Sequence, residues 1–125
     1  MIDHVSLGVR DLARGAAFYE VVLAEIGFEK LVSRAETVGF GKRYPEFWLN
    51  ARPGMGMVPA ESGTHVCLRT REKAQVDAFH QAAIAAGAVS DGAPGPRPDY
   101  GEGYYAAFIR DADGNRVEVV TFLID

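Results

Sequence analysis

His4-Val5-Ser6-Leu7-Gly8-Val9, near the start of the chain, is answered in its middle by His65-Val66-Cys67-Leu68. A shift of 61 positions superposes more than these strands, placing Arg10 on Arg71, Asp11 on Glu72, Ala13 on Ala74, Ala17-Phe18 on Ala78-Phe79 and Leu23-Ala24 on Ile84-Ala85. One supersecondary unit has been used twice. Two of the three histidines open the two copies at equivalent places, so a pseudo-twofold arrangement would bring them to one point, as a metal site requires.

Working outward, Ile2 to Val9 alternates, with Val5, Leu7 and Val9 on one face and His4, Ser6 and Gly8 on the other, which predicts a half-buried strand. Asp11 reads as an N-cap of a helix running to about Ile26, with Phe18, Val22 and Ile26 as its buried stripe and Gly27 as its terminator. Short strands are expected over Phe28 to Ser33, Glu36 to Gly41 and Glu46 to Asn50. Arg52 to Pro59 has the proline and glycine content of a linker. The order then repeats: a strand over Thr64 to Thr70, a helix from about Glu72 to Ala86 ended by Gly87, and a strand near Val89. A proline-glycine loop from Gly92 to Gly103 and strands Tyr104 to Arg110 and Asn115 to Phe122 complete it. The fold class is therefore α+β, one domain over 1–125 built from two βαβββ modules, about 1–58 and about 63–125.

Composition bounds what such a protein does. With 125 residues, 48% of them apolar, there is enough for one core, but a half of this length would be marginal alone, so the modules are expected to share it. A net charge of −4 without any basic run offers nothing to nucleic acid or an anionic membrane. The opening Met1-Ile2-Asp3-His4 lacks a signal peptide's charge and apolar run, and the lone Cys67 suits a reducing compartment, so a cytoplasmic location is expected.

A third candidate ligand lies in the last strand. In Val117-Glu118-Val119 the carboxylate points away from the valine face, as each histidine points away from its own Val/Leu face. Two imidazoles and one carboxylate leave coordination positions open, the donor set of many catalytic divalent-metal sites and of non-haem iron oxygenases. A closed structural zinc site would want more thiolates.

His4 to Leu12 followed by Phe18-Tyr19, then Thr64 to Leu68, then Phe108 to Glu118 through Asp111-Ala112-Asp113-Gly114, resembles the vicinal oxygen chelate superfamily. That superfamily includes glyoxalase I, fosfomycin-inactivating thiol transferases, extradiol dioxygenases and bleomycin-binding proteins. The resemblance implies paired βαβββ modules forming a cupped mixed sheet around a metal held by His4, His65 and Glu118, in homodimers that sometimes exchange modules. It implies one divalent ion (Zn, Ni, Mn or Fe), with glutathione or another thiol as co-substrate. The expected activity is that of a glyoxalase-type lyase or isomerase, like lactoylglutathione lyase, acting on a thiol-aldehyde adduct through Glu118 or Glu46 as base. The alternatives are epoxide opening by a thiol, extradiol dioxygenation, or ligand sequestration without catalysis.

Glu46 is the ambiguous residue. Aligned with Glu118 at an offset of 72, Glu46-Phe-Trp-Leu-Asn50 matches the Glu-x-x-x-Asn context in which glyoxalase I-like proteins place a fourth ligand, and about 11 extra residues then fall in the Gly92 to Gly103 loop. The thiol transferases instead put an aromatic near this point, a role Trp48 on the same face would fill. Ser6 and Cys67, two residues after the histidines, are expected to line the cavity, Cys67 as a small buried hydrophobe. The long loop reads as a lid, with Arg97 available to an anion and Tyr104 or Tyr105 as a hydroxyl donor. Asp111 to Asn115 reads as a tight turn with Gly114 at positive φ and not as a calcium loop, because position 12 would be Phe122. His80 is expected in solvent.

Overall fold

The computed structural model describes residues 1–124. In the first module, β1 (Val5–Val9) leads into α1 (Leu12–Ala24), then β2 (Glu29–Ser33), β3 (Thr37–Gly41) and β4 (Pro45–Ala51). The second repeats this order as β5 (Val66–Arg69), α2 (Lys73–Ala85), β6 (Val89–Pro96), β7 (Tyr104–Arg110) and β8 (Arg116–Phe122). Each module forms its own four-stranded sheet, in the orders β1-β4-β3-β2 and β5-β8-β7-β6. In both, the first strand runs parallel to the last and the other neighbours are antiparallel.

The helices form where capping and apolar spacing coincide. Asp11 accepts the Arg14 amide at 3.1 Å, and at α2 the Gln75 carboxamide oxygen reaches back to the Glu72 amide at 3.1 Å. The buried stripe of α1 is Tyr19, Val22 and Leu23, continued by Ile26 just past its end, with Phe18 only partly covered. Tyr19 enters the stripe because its ring lies against Phe47, with centroids 5.0 Å apart. The chain leaves the two helices through Gly27 and Gly87.

The expectation of a shared core holds. One cluster joins Tyr19, Leu23, Phe40 and Phe47 of the first module to Val76, Phe79, Ile109 and Val117 of the second, and each fully buried side chain of this size contributes roughly 1.5–3 kcal/mol relative to exposure. A polar latch sits beside it. The buried Asp111 carboxylate accepts from Tyr19 Oη at 2.7 Å, the Asp113 and Asn115 amides at 2.9 Å and Asn115 Nδ2 at 3.0 Å. Asn115 Nδ2 also donates to Gly8 O at 2.9 Å, and Arg10 Nε donates to Asp113 Oδ1 at 2.7 Å, so the β7–β8 turn grips the end of β1. Gly114 turns this corner with φ +85°, and a Cβ there would lie 2.4 Å from Val58 O.

The Gly92 to Gly103 segment departs from expectation. It is not a loop throughout, because β6 continues to Pro96, pairing Gly95 with Ala106 and Pro96 with Tyr105 after register shifts around Gly92. Pro94 and Pro96 are tolerated because β6 is an edge strand. No helix among the described residues is long and apolar enough to cross a membrane.

Candidate functional site

Strand alternation sorts the second sheet into two faces. The odd positions of β7 and β8 enter the shared core with the helices, while Glu118, Val120 and Phe122 of β8 and Tyr104, Ala106 and Phe108 of β7 face outward. Cys67 pairs in register with Glu118 and Arg69 with Val120, so His65, Cys67 and Arg69 lie along the same outer face.

Glu118 is the centre of this face. Its side chain is only 3% exposed, and His65 Nε2 lies 2.9 Å from its Oε1. Tyr104 Oη donates to the other oxygen, Oε2. Cys67, which lies at the surface and not buried as expected, has its thiol pushed up to about 12, first by desolvation and then by the Glu118 charge. Burial followed by the same carboxylate raises the Tyr104 phenol. Around them, Arg116 at 4.3 Å and Arg97 at 5.7 Å lie over the Phe108 ring, and Arg69 lies 4.6 Å over Phe122.

His65 and Glu118 fit a divalent cation. Two donors each about 2.1 Å from a metal and at right angles to it stand about 3 Å apart, close to the observed separation. Among the described residues the buried carboxylate has no lysine or arginine partner, and a bound cation would balance its charge. His4 does not join them. It precedes β1 in the other sheet, half exposed, with Nδ1 2.6 Å from Asp3 Oδ1, and among the described residues no group of three or more His, Cys, Asp or Glu side chains gathers for a metal.

The outer face of the first sheet carries the matching positions. Ser6 pairs with Trp48 exactly as Cys67 pairs with Glu118, so the register counterpart of Glu118 is Trp48, at an offset of 70 and not 72. Glu46, two residues earlier and half-buried, corresponds to Arg116. The residue pattern Glu-x-x-x-Asn conceals this because it is shifted by one alternation, which preserves the face. Trp48 lies over Gly39, and Arg34 stands 5.8 Å over its ring. Ser6 lines a groove of about 540 Å³ with Asn50, Arg52 and Met55. A second hollow of about 570 Å³, lined by Arg10, Arg14, Phe18 and Ala88, lies on the helix side and contains none of the candidate ligands.

Three expectations change. Tyr105 lies on the helix side of the sheet and donates to Asp77 at 2.5 Å, because its odd position turns it away from Glu118. Arg97 is held by the carbonyls of Ala93 at 2.8 Å and Gly95 at 3.0 Å and serves as a cover for Phe108 instead of a mobile lid residue. His80 is not simply solvated, since Nε2 lies 2.8 Å from Ser90 Oγ and partial burial lowers its pKa. Arg69, which sequence reasoning passed over, had a signal in the repeat itself: at an offset of 61 it replaces Gly8.

The fold agrees with comparisons to known proteins. The chain is similar to the crystal structure of a glyoxalase/bleomycin resistance protein from Albidiferax ferrireducens, with 27% identity, TM-score 0.83, and coverage of 95% of this chain and 97% of that one. A glyoxalase/bleomycin resistance protein/dioxygenase family enzyme from Burkholderia phytofirmans matches at 22% identity and TM-score 0.72, covering 98% of each chain. The fosfomycin resistance protein FosX from Listeria monocytogenes shares the fold at 16% identity and TM-score 0.71, covering 99% of this chain and 94% of that one. Among curated proteins none matches. Residues 1–119 match the family model described as Glyoxalase/Bleomycin resistance protein/Dioxygenase superfamily, and with the duplicated βαβββ module they show that the chain belongs to that superfamily.

Proposed function

We propose that the protein is a divalent-metal-dependent enzyme acting on a small molecule with adjacent oxygens, its site assembled between two copies of the chain. His65 and Glu118 come from one copy and His4 from the other. The observation that carries this is the 2.9 Å approach of His65 to the buried Glu118, with His4 absent from the cluster. A bound cation supplies Lewis-acid stabilisation of a developing oxyanion near neutral pH.

The chain's own residues set the rest. Tyr104 fixes one Glu118 oxygen and so orients the other toward His65. Trp48 at the register counterpart of Glu118 favours three protein ligands over four, and with them epoxide opening by a thiol. In that reaction an S–C bond forms as an epoxide C–O bond breaks, and the freed oxygen takes the thiol's proton. A variant of FosX is known in complex with Mn(II) and 1S,2S-dihydroxypropylphosphonic acid, a ligand with two adjacent oxygens.

The second reading is glyoxalase-type isomerisation, favoured by Glu46 standing on the same outer face as Trp48 and available as a base. Metal analysis of protein purified without chelator, beside His65→Ala, tests the common element: about one ion per chain, lost in the variant, is expected. With that metal in place, glutathione addition to an epoxide and isomerisation of a glutathione-aldehyde adduct separate the two readings. Absence of metal even after reconstitution would overturn both.

A further inference from the structure

Four arginines stand on or beside the outer face of the second sheet, and three are occupied. Arg97 is tied to backbone carbonyls. Arg116 Nε donates to Asp91 at 2.5 Å, and Arg110 pairs with the same carboxylate at 3.4 Å. Arg69 alone has neither a hydrogen bond nor an ion-pair partner among the described residues, yet its guanidinium is seated 4.6 Å over the Phe122 ring. Stacking of this kind restrains the long side chain while leaving its in-plane N–H donors free, which is how an arginine is prepared for a carboxylate or phosphate.

Its place on the sheet matters as much as its freedom. Arg69 ends β5 four residues beyond His65, which immediately precedes that strand, so the two stand about 13 Å apart along it. Val120, Ala106 and Phe122 form an apolar patch between the Glu118 carboxylate and the guanidinium. In the first module the same position is Gly8, where a Cβ would meet Met55 Sδ at 2.9 Å. Arg52 also lies against Gly8, 3.4 Å from where that Cβ would stand, so only in the second module does the strand position itself supply the arginine.

We infer that the molecule bound at the His65–Glu118 site is elongated and carries, beyond an apolar middle, an anionic oxygen group (carboxylate, phosphonate or phosphate) received by Arg69. This rests on the metal-site reading above and adds the substrate's second recognition point. The free guanidinium accounts for orientation: the reactive oxygens lie at one end of the face and the anion at the other.

The test uses manganese-loaded full-length protein and the monohydroxamate of suberic acid, which carries a two-oxygen chelating group at one end and a carboxylate at the other, beside its methyl ester. Calorimetry should show the acid binding wild type at least about tenfold more tightly than the ester. In Arg69→Gln that preference should vanish, with manganese content and ester affinity unchanged. Equal binding of acid and ester by wild type, or a preference surviving in the variant, would overturn the role of Arg69 while leaving the metal site standing. If the protein takes up no manganese, the metal reading fails separately, and the arginine is read directly in metal-free protein. Its Nε–H resonance, identified by its absence from Arg69→Gln, should move with suberate and not with dimethyl suberate; no movement overturns the inference.

Discussion

Opposite Ser6 the first sheet holds Trp48, and opposite Cys67 the second holds Glu118. Two positions beyond each of these β1 and β5 residues, the first sheet has Gly8 under Met55 and the second has Arg69 on Phe122. The backbones repeat closely enough that these are equivalent sites, so the difference lies wholly in side chains. It teaches that duplication conserved the inward valines and leucines that make one core and left the outward face free to diverge. At these two positions the second module carries a carboxylate and a guanidinium, and the first a tryptophan and a glycine.

The sharpest way to break this comparison is to disable each face in a different copy. His4→Ala and Glu118→Ala, each alone, should hold no stoichiometric metal, whereas refolding an equal mixture should restore about a quarter of the sites, the statistical yield when every site draws on two chains of a dimer. Sites built within one chain would leave the mixture as empty as its parents.

The latch between modules comes next. Asp111→Ala strands four donors at once and should lower stability by at least about 3 kcal/mol in urea unfolding; a loss below about 1 kcal/mol would mean the turn is not what grips β1. Alkalinity probes the same joint, because burial followed by Asp111 raises the Tyr19 phenol well above its ordinary value. A raised acid contributes stability that is complete below its unfolded pKa, about 10. Stability should therefore fall as pH climbs above 10.

Cys67 sharpens the contrast with Ser6. With its thiol pushed up to about 12, chelator-treated protein should react with iodoacetamide at pH 8 on the order of 100-fold more slowly than a simple thiol. Glu118→Gln should recover part of that rate, because the carboxylate is the cause after desolvation; ordinary reactivity in unmodified protein would remove the carboxylate's influence on the face. The smallest effect compares the helix starts. Asp11→Ala and Gln75→Ala should each cost about 1 kcal/mol by thermal or urea unfolding, since each removes one cap of a helix of equal length.

Much of this was legible in the chain. The 61-residue shift finds both modules, their helices and the shared core, because inward residues obey one periodicity in each element and a duplication copies it. Glu118 was legible as an outward carboxylate between valines. The error at Glu46 has a definite cause: alternation reports which face a residue occupies but not which neighbour it pairs with, and a slip of two residues leaves the face unchanged. Tyr105 and Tyr104 look alike in sequence, yet a single step along β7 sends one to Asp77 and the other to Glu118. The extended β6 was hidden by prolines and glycines whose edge position makes them harmless. His4 could be identified as a candidate, but whether it meets His65 within one chain is a matter of module placement, which no local pattern encodes.

The segment from Arg52 to Pro59 has the composition of a hinge and the contacts of a strap. Val58 N donates to Asp113 O at 2.9 Å, Arg10 Nη2 reaches Met57 Sδ at 3.0 Å, and Met55 sits against Gly8. Melting of either half therefore withdraws support from the connector, from the β7–β8 turn and from the other half together. In calorimetry the two modules should therefore unfold as one unit, and cutting the connector should leave a complex of fragments instead of two independent domains. The ancestral half-length unit, if expressed alone, would meet this requirement only by pairing with itself.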